Sequence, residues 1–181
     1  MHAAGPVGLI RGDPAAFLRA AEEGTASLLR SVSAPASAVR RVVHISSIVA
    51  ITYDTVVPPP PPEEADAPPR VWTPADWNER AVSQVRAAVA SPGPDGADAS
   101  VATVYPACKV LAERAAWAAF EAEKVRRGGE GEGWDLVVVC PPWVFGPVLG
   151  AREPEEMAFT AGYWMRHVVK REGIMPDNMR T

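Results

Sequence analysis

The chain has 181 residues, 48% of them apolar, and a formal net charge of −4. That content suffices for one core of ordinary size, while the acidic balance, with a pI near 5.4, argues against nucleic acid as the main partner, because phosphate binding needs a basic surface. No apolar run reaches the length of a membrane span, and the first residues lack the basic and apolar regions of a secretory leader, so a cytosolic location is expected.

The opening segment carries Gly5, Gly8 and Gly12. A dinucleotide-binding glycine loop must follow a buried strand, and only four residues precede Gly5, so this segment is read as a strand end running into a loop. Asp13-Pro14 offers an N-cap with proline in the first helical position, and Phe17, Ala21, Leu28, Leu29 and Val32 continue at helical spacing to about Ser31. Val42–Ser46 is a β-branched run of the kind found in buried central strands, ending at Ser46-Ser47. The prolines of residues 58–69 forbid both helix and internal strand, which predicts an exposed polyproline loop; a simple insertion is favoured there over a PxxP ligand. Thr73-Pro74 is expected to open a second helix reaching about Ala90, with Trp77, Ala81, Val85 and Val89 as its apolar stripe, and Ser91–Ser100 forms a loop.

A third helix is predicted from about Tyr105 to Arg127, with Val110, Leu111, Ala115, Ala118 and Ala119 on a small-residue face, terminated by the glycines of 128–133. Tyr105 and Lys109 stand four residues apart on it and share one face. An ammonium beside a phenol favours the phenolate and brings the tyrosine closer to proton transfer near neutral pH. Trp134–Cys140 is the most strongly β-prone run, apolar on both faces as in a parallel strand covered by helices; Pro141-Pro142 ends it, and a loop follows through Pro147. Met157, Ala161, Trp164, Met165 and Val168 mark a last amphipathic helix, on which Arg166, His167, Lys170 and Arg171 read as a solvated face. Cys108 and Cys140 have neither metal-ligand spacing nor partner histidines, and fit buried, reduced thiols.

Helices alternating with apolar strands imply βαβ units and a parallel sheet, whose ligands bind outside the carboxyl ends of the strands. That rule brings Ser46 and Ser47, the start of the Tyr105 helix and the loop after Cys140 toward one site. Taken singly, the serines fit a strand-end cap and Pro141-Pro142 a strand stop; taken as a set they fit a catalytic centre.

Together His2–Pro6, His44–Ala50, Thr73–Asn78, Tyr105–Trp117 and Asp135–Pro147 resemble the extended short-chain dehydrogenase/reductase superfamily of NAD(P)-dependent epimerases, dehydratases and ketoreductases. The likeness is greatest to its dihydroflavonol-reductase-like and fungal aldehyde or ketone reductases, and fades after Pro147. It implies an α/β, Rossmann-type parallel sheet represented by its second half, from the fourth strand, over residues 1–150, with the start of a substrate-binding lobe over 151–181. It implies that Ser47, with Ser46 as the less favoured neighbour, holds the substrate oxygen, and that Tyr105 is the general acid or base. Lys109 would bind the nicotinamide ribose and lower the tyrosine pKa. Ala3, Ala4, Gly5, Ser46, Pro141 and Val144 would lie along the cofactor, NADP being favoured and NAD second, and the substrate would be a small carbonyl compound or alcohol. No metal is implied.

The chain departs from the family pattern in three ways. It shows no first strand with a glycine-rich loop, its substrate lobe stops short near Thr181, and Cys108 stands where the family commonly carries serine. A fragment, an incomplete gene product or a degenerate relative would each look like this. Two rivals to a carbonyl reductase follow: a non-enzymatic remnant or binding module with an uncovered sheet edge and helix face, and an epimerase or dehydratase with tightly held NAD.

Overall fold

A computed structural model describes residues 1–5, 13–52, 71–90, 101–128, 133–144, 146 and 162, without the side chains of 101 and 102. The polyproline loop, the loop before the third helix, Gly8, Gly12 and the last amphipathic helix lie outside the described residues. The chain divides into two compact units, Met1–Cys140 and Pro141–Thr181.

Helix α1 spans Pro14–Val32. Asp13 caps it, accepting the Ala15 amide at 2.9 Å, and Pro14 follows with its fixed torsion and no unused donor. The buried stripe is Leu18, Ala21, Thr25 and Leu29, turned by about one residue from the expected one: Phe17 is half-buried and Leu28 exposed. Strand β1, Arg41–Ile45, alternates exposed and buried positions, with Val42 and His44 inward. A one-turn 3-10 helix, Ile48–Ala50, follows, capped by the Ser47 hydroxyl.

Helix α2 spans Glu79–Ala90 and begins six residues later than the sequence suggested. Thr73 and Asp76 close a turn on each other instead, the Asp76 carboxylate accepting both the amide and the hydroxyl of Thr73 at 2.8 Å. Asn78 is the true start: its side-chain oxygen accepts the Ala81 amide at 3.1 Å, while its Nδ2 donates to the carbonyls of Val49 at 2.9 Å and Thr52 at 3.3 Å. One buried amide thereby caps α2 and ties down the turn that follows β1.

Helix α3 spans Val101–Arg126 and starts four residues before Tyr105. Pro106 is tolerated because it falls in the second turn, where it forfeits a single backbone bond. Val104, Ala107, Cys108, Val110, Leu111 and Ala112 are all buried, so the first half of α3 is enclosed nearly all round rather than along one stripe. Gly128, at φ 72°, takes the left-handed conformation just past its end. Strand β2, Asp135–Val139, then pairs with β1 in parallel, Val42 opposite Leu136 and His44 opposite Val138. On the other side of β1, His2 forms a parallel bridge to His44, its amide donating to Val43 O at 2.7 Å and its carbonyl accepting from Ile45 N at 2.8 Å. β1 is therefore central, with a strand end at His2 on one flank and β2 on the other, as expected of the second half of a Rossmann-type sheet.

Leu29 of α1 and Ala116 of α3 pack on Val42, Trp134 and Leu136, covering one face of the sheet. A second cluster, Leu18, Ala21, Ala81, Val82, Val85, Val104 and Leu111 among others, joins the three helices. Burying such a Val or Leu side chain stabilises the fold by about 1.5–3 kcal/mol. The opposite face of β2 differs from expectation: Val137 and Val139 are each 41% exposed, because α1 and α3 pack on the other face. Where the strands begin, the Arg41 guanidinium and the Asp135 carboxylate form a two-pronged pair across the register.

His44 is 3% exposed and neither ring nitrogen has a partner, while the His2 ring lies 5.1 Å from it, tilted, and bonds to Thr25 Oγ1 at 3.2 Å. Burial, followed by the nearby His2 and Lys109, lowers the His44 pKa from 6.5 to about 4. The folded chain thus refuses a proton that the unfolded chain accepts. Stability is expected to be whole above pH 6.5 and to fall by about 3 kcal/mol as the pH drops toward 4. Urea unfolding at pH 7 and pH 4.5, compared between the natural chain and His44→Leu, measures this: the substitution should remove most of the difference.

Candidate active site at the carboxyl end of β1

The site is built where β1 runs out and α3 crosses it. Ser46 and Ser47 end the strand, 2% and 9% exposed, and the Ser46 amide donates to Val139 O at 2.8 Å, so the two strand ends are held level. Facing them, α3 presents Tyr105, Lys109 and Glu113, four residues apart and so on one side of the helix. Each reaches the end of β1. Ser47 is the side chain that acts on the Tyr105 hydroxyl, opposing the rise that burial causes in its pKa. Lys109 Nζ donates to the Ile45 carbonyl at 3.0 Å and lies 5.8 Å from the centroid of the Tyr105 ring. Glu113, 4% exposed, accepts the Ser46 hydroxyl at 2.5 Å.

The electrostatics differ from the sequence expectation in one respect. Burial raises the Tyr105 pKa, and the group that opposes this is Ser47 rather than Lys109. The ammonium is committed to the Ile45 carbonyl instead of pointing at the phenol. Burial also lowers the Lys109 pKa, against the opposing influence of Cys108, Cys140 and Glu113. Both cysteines are free; burial pushes the Cys108 thiol up to about 11 and raises that of Cys140, so neither is a ready nucleophile.

Of the other expected site residues, Ala3, Ala4 and Gly5 follow directly on the His2 bridge and are exposed, at the same end of the sheet as Ser46. Pro141 is half-buried and Val144 exposed; both belong to the second unit, and Phe145 and Pro147 of the same loop lie outside the described residues. Two residues of consequence escaped the sequence reading. Glu113 continues the Tyr105, Lys109 spacing by one more turn, a carboxylate on an otherwise apolar stretch, and Asn78 stands three residues before Ala81 as an N-cap should. Among the described residues no three His, Cys, Asp or Glu side chains gather as metal ligands, and no helix is long and apolar enough to cross a membrane.

A parallel sheet with helices packed on it and polar side chains gathered at the carboxyl end of β1 is a Rossmann-type α/β arrangement. The relatives agree. Over 148 residues the chain is 36% identical to the ketoreductase azaE of Aspergillus niger, a match covering 81% of the chain and 35% of that protein. A solved reductase engineered to attenuate substrate inhibition in asymmetric catalysis is 28% identical, with a TM-score of 0.54 over 87% of the chain and 39% of its own. A variant of SsCR is 30% identical at the same TM-score of 0.54, over 86% of the chain and 38% of its own. No protein-family profile matches. These likenesses support a reductase of the short-chain dehydrogenase/reductase type, and the chain spans about a third of the length of the curated relative it matches.

Burial raises the Tyr105 pKa, and the Ser47 side chain opposes that rise. Ser47→Ala is expected to move tyrosinate formation at Tyr105 to higher pH, read as the absorbance near 295 nm that Tyr105→Phe removes; an unmoved curve would show that the two hydroxyls do not meet.

Proposed function

We propose that the chain carries the carbonyl-reducing site of an NADP-linked reductase that converts a ketone or aldehyde to an alcohol. The observation that carries this is the placing of Lys109 at the end of β1, its Nζ 3.0 Å from the Ile45 carbonyl and 5.8 Å from the centroid of the Tyr105 ring one turn away on the same helix face, beside the strand-end serines. Ser47 accepts or donates to the substrate oxygen and fixes it against Tyr105. Tyr105 gives its phenolic proton to that oxygen as negative charge develops on it, and the alcohol leaves neutral.

Lys109 fits a nicotinamide nucleotide on two counts. Its ammonium carries three donors, of which the Ile45 carbonyl takes one, and the others are assigned to ribose hydroxyls. Its positive charge stabilises the phenolate left on Tyr105 once the proton has gone, which is a role in the reacting complex that the resting pKa does not report. The exposed small residues Ala3, Ala4 and Gly5 leave the backbone at the neighbouring strand end open to close approach. The cofactor, when bound, supplies the hydride that adds to the carbonyl carbon. NADP is preferred to NAD by likeness to the reductases.

Titration of the purified chain with NADPH, followed by nucleotide fluorescence, is expected to show binding well below 1 mM; affinity no tighter than about 1 mM would remove enzymatic function from these residues. Where turnover of a ketone or aldehyde panel is measured, Tyr105→Phe should lower it at least about 100-fold with NADPH affinity nearly unchanged, and retained turnover would sink the role given to Tyr105.

A further inference from the structure

Glu113 has no part in the chemistry just described, yet it is among the most enclosed charged side chains of the site. It is 4% exposed, and the groups around its carboxylate are donors: the Ser46 hydroxyl at 2.5 Å, the Trp117 indole N–H at 3.4 Å and the Cys140 thiol at 3.7 Å. A buried carboxylate costs several kcal/mol to desolvate and is tolerated only where donors compensate it, so this one defines where those donors must stand. Two of the three belong to strand ends, Ser46 to β1 and Cys140 just past β2. Ser46 is the residue immediately before the serine that meets Tyr105, and the residue immediately after the carbonyl that holds Lys109.

We propose that Glu113 is a positioning residue: by fixing the Ser46 hydroxyl it locks the end of β1 in the register along α3 at which Ser47 meets Tyr105 and the Ile45 carbonyl meets Lys109. Ile45 and Ser46 at the end of β1 are bound by successive turns of α3, Ser47 acts on the turn before them through Tyr105, and Glu113 is the anchor farthest from the chemistry. Without it, Ser46 and Ser47 remain at a strand end but lose the fixed point that chooses which of them faces the phenol. The carboxylate also stands among the groups that oppose the lowering of the Lys109 pKa. Its catalytic meaning rests on the reductase reading of Tyr105 and Lys109; the anchoring itself does not.

The test is made on the 181-residue chain without turnover, following tyrosinate formation at Tyr105 as the absorbance change that Tyr105→Phe abolishes. Glu113→Gln and Ser46→Ala are compared with the natural chain, alongside thermal unfolding. Anchoring predicts that both substitutions shift the Tyr105 titration upward, by at least about half a pH unit, because Ser47 no longer holds the phenol. Simple electrostatics predicts the reverse for Glu113→Gln, since removing a negative charge favours the phenolate. A downward or absent shift with Glu113→Gln overturns the proposal, as does a fall in Tm with an unmoved titration. Should Glu113→Gln fail to fold, Ser46→Ala, which changes no charge, decides alone. Failure of NADPH binding would remove the reductase reading and leave this outcome standing, so the two are separable.

Discussion

An ammonium group on a helix that donates to the last carbonyl of a strand fixes how far that helix can slide along the sheet, and the bond from Lys109 Nζ to Ile45 O at 3.0 Å does so here. A half-buried lysine cannot leave its charge unsolvated, so the bond is compulsory rather than decorative. Once it forms, the helical repeat carries Tyr105 one turn back toward Ser47 and Glu113 one turn on toward Ser46.

Support for this arrangement comes from groups with no chemistry of their own. Asn78 binds the carbonyls of Val49 and Thr52 while capping α2, so the chain leaving Ser47 is held by the helix that packs on α3. On the far side, Trp134 donates to Ser33 Oγ at 3.1 Å and stacks obliquely on Phe120, joining the start of β2 to the ends of α1 and α3. Arg114 lies over the Trp77 ring at 4.8 Å and pairs with Glu79, closing the gap between α2 and α3 from outside. Polar anchors hold one end of the sheet and aromatic packing the other.

The two strands, α1 and the tyrosine helix were legible because local signals agreed with the fold: an Asp-Pro start, two β-branched runs, a glycine stop. The Tyr105, Lys109 pair was legible because four-residue spacing is a property of any helix. What escaped was set by contacts across the chain. Thr73-Pro74 looked like a helix start, and Asp76 captured Thr73 in a turn before the helix could form. The burial of α3 on nearly all sides blurred the stripe by which its inner face was judged, so Val104 and Ala107 were passed over. Glu113 was overlooked because a glutamate in a helix is ordinarily a surface residue. For Lys109 and Tyr105, spacing shows that the two side chains share a face, and only the strand-end carbonyl of Ile45 shows what the ammonium bonds to.

The pairing of β1 with β2 joins residues 94 positions apart, as the Arg41–Asp135 contact measures. Such a closure carries a loop-closure entropy that the local contacts within each helix do not. Ser46 makes its backbone bond through this pairing, to Val139 O, and its neighbour Ser47 is placed at the same strand end. The tyrosine and lysine are placed by one helix alone, whereas the position of the serines is a property of the completed sheet.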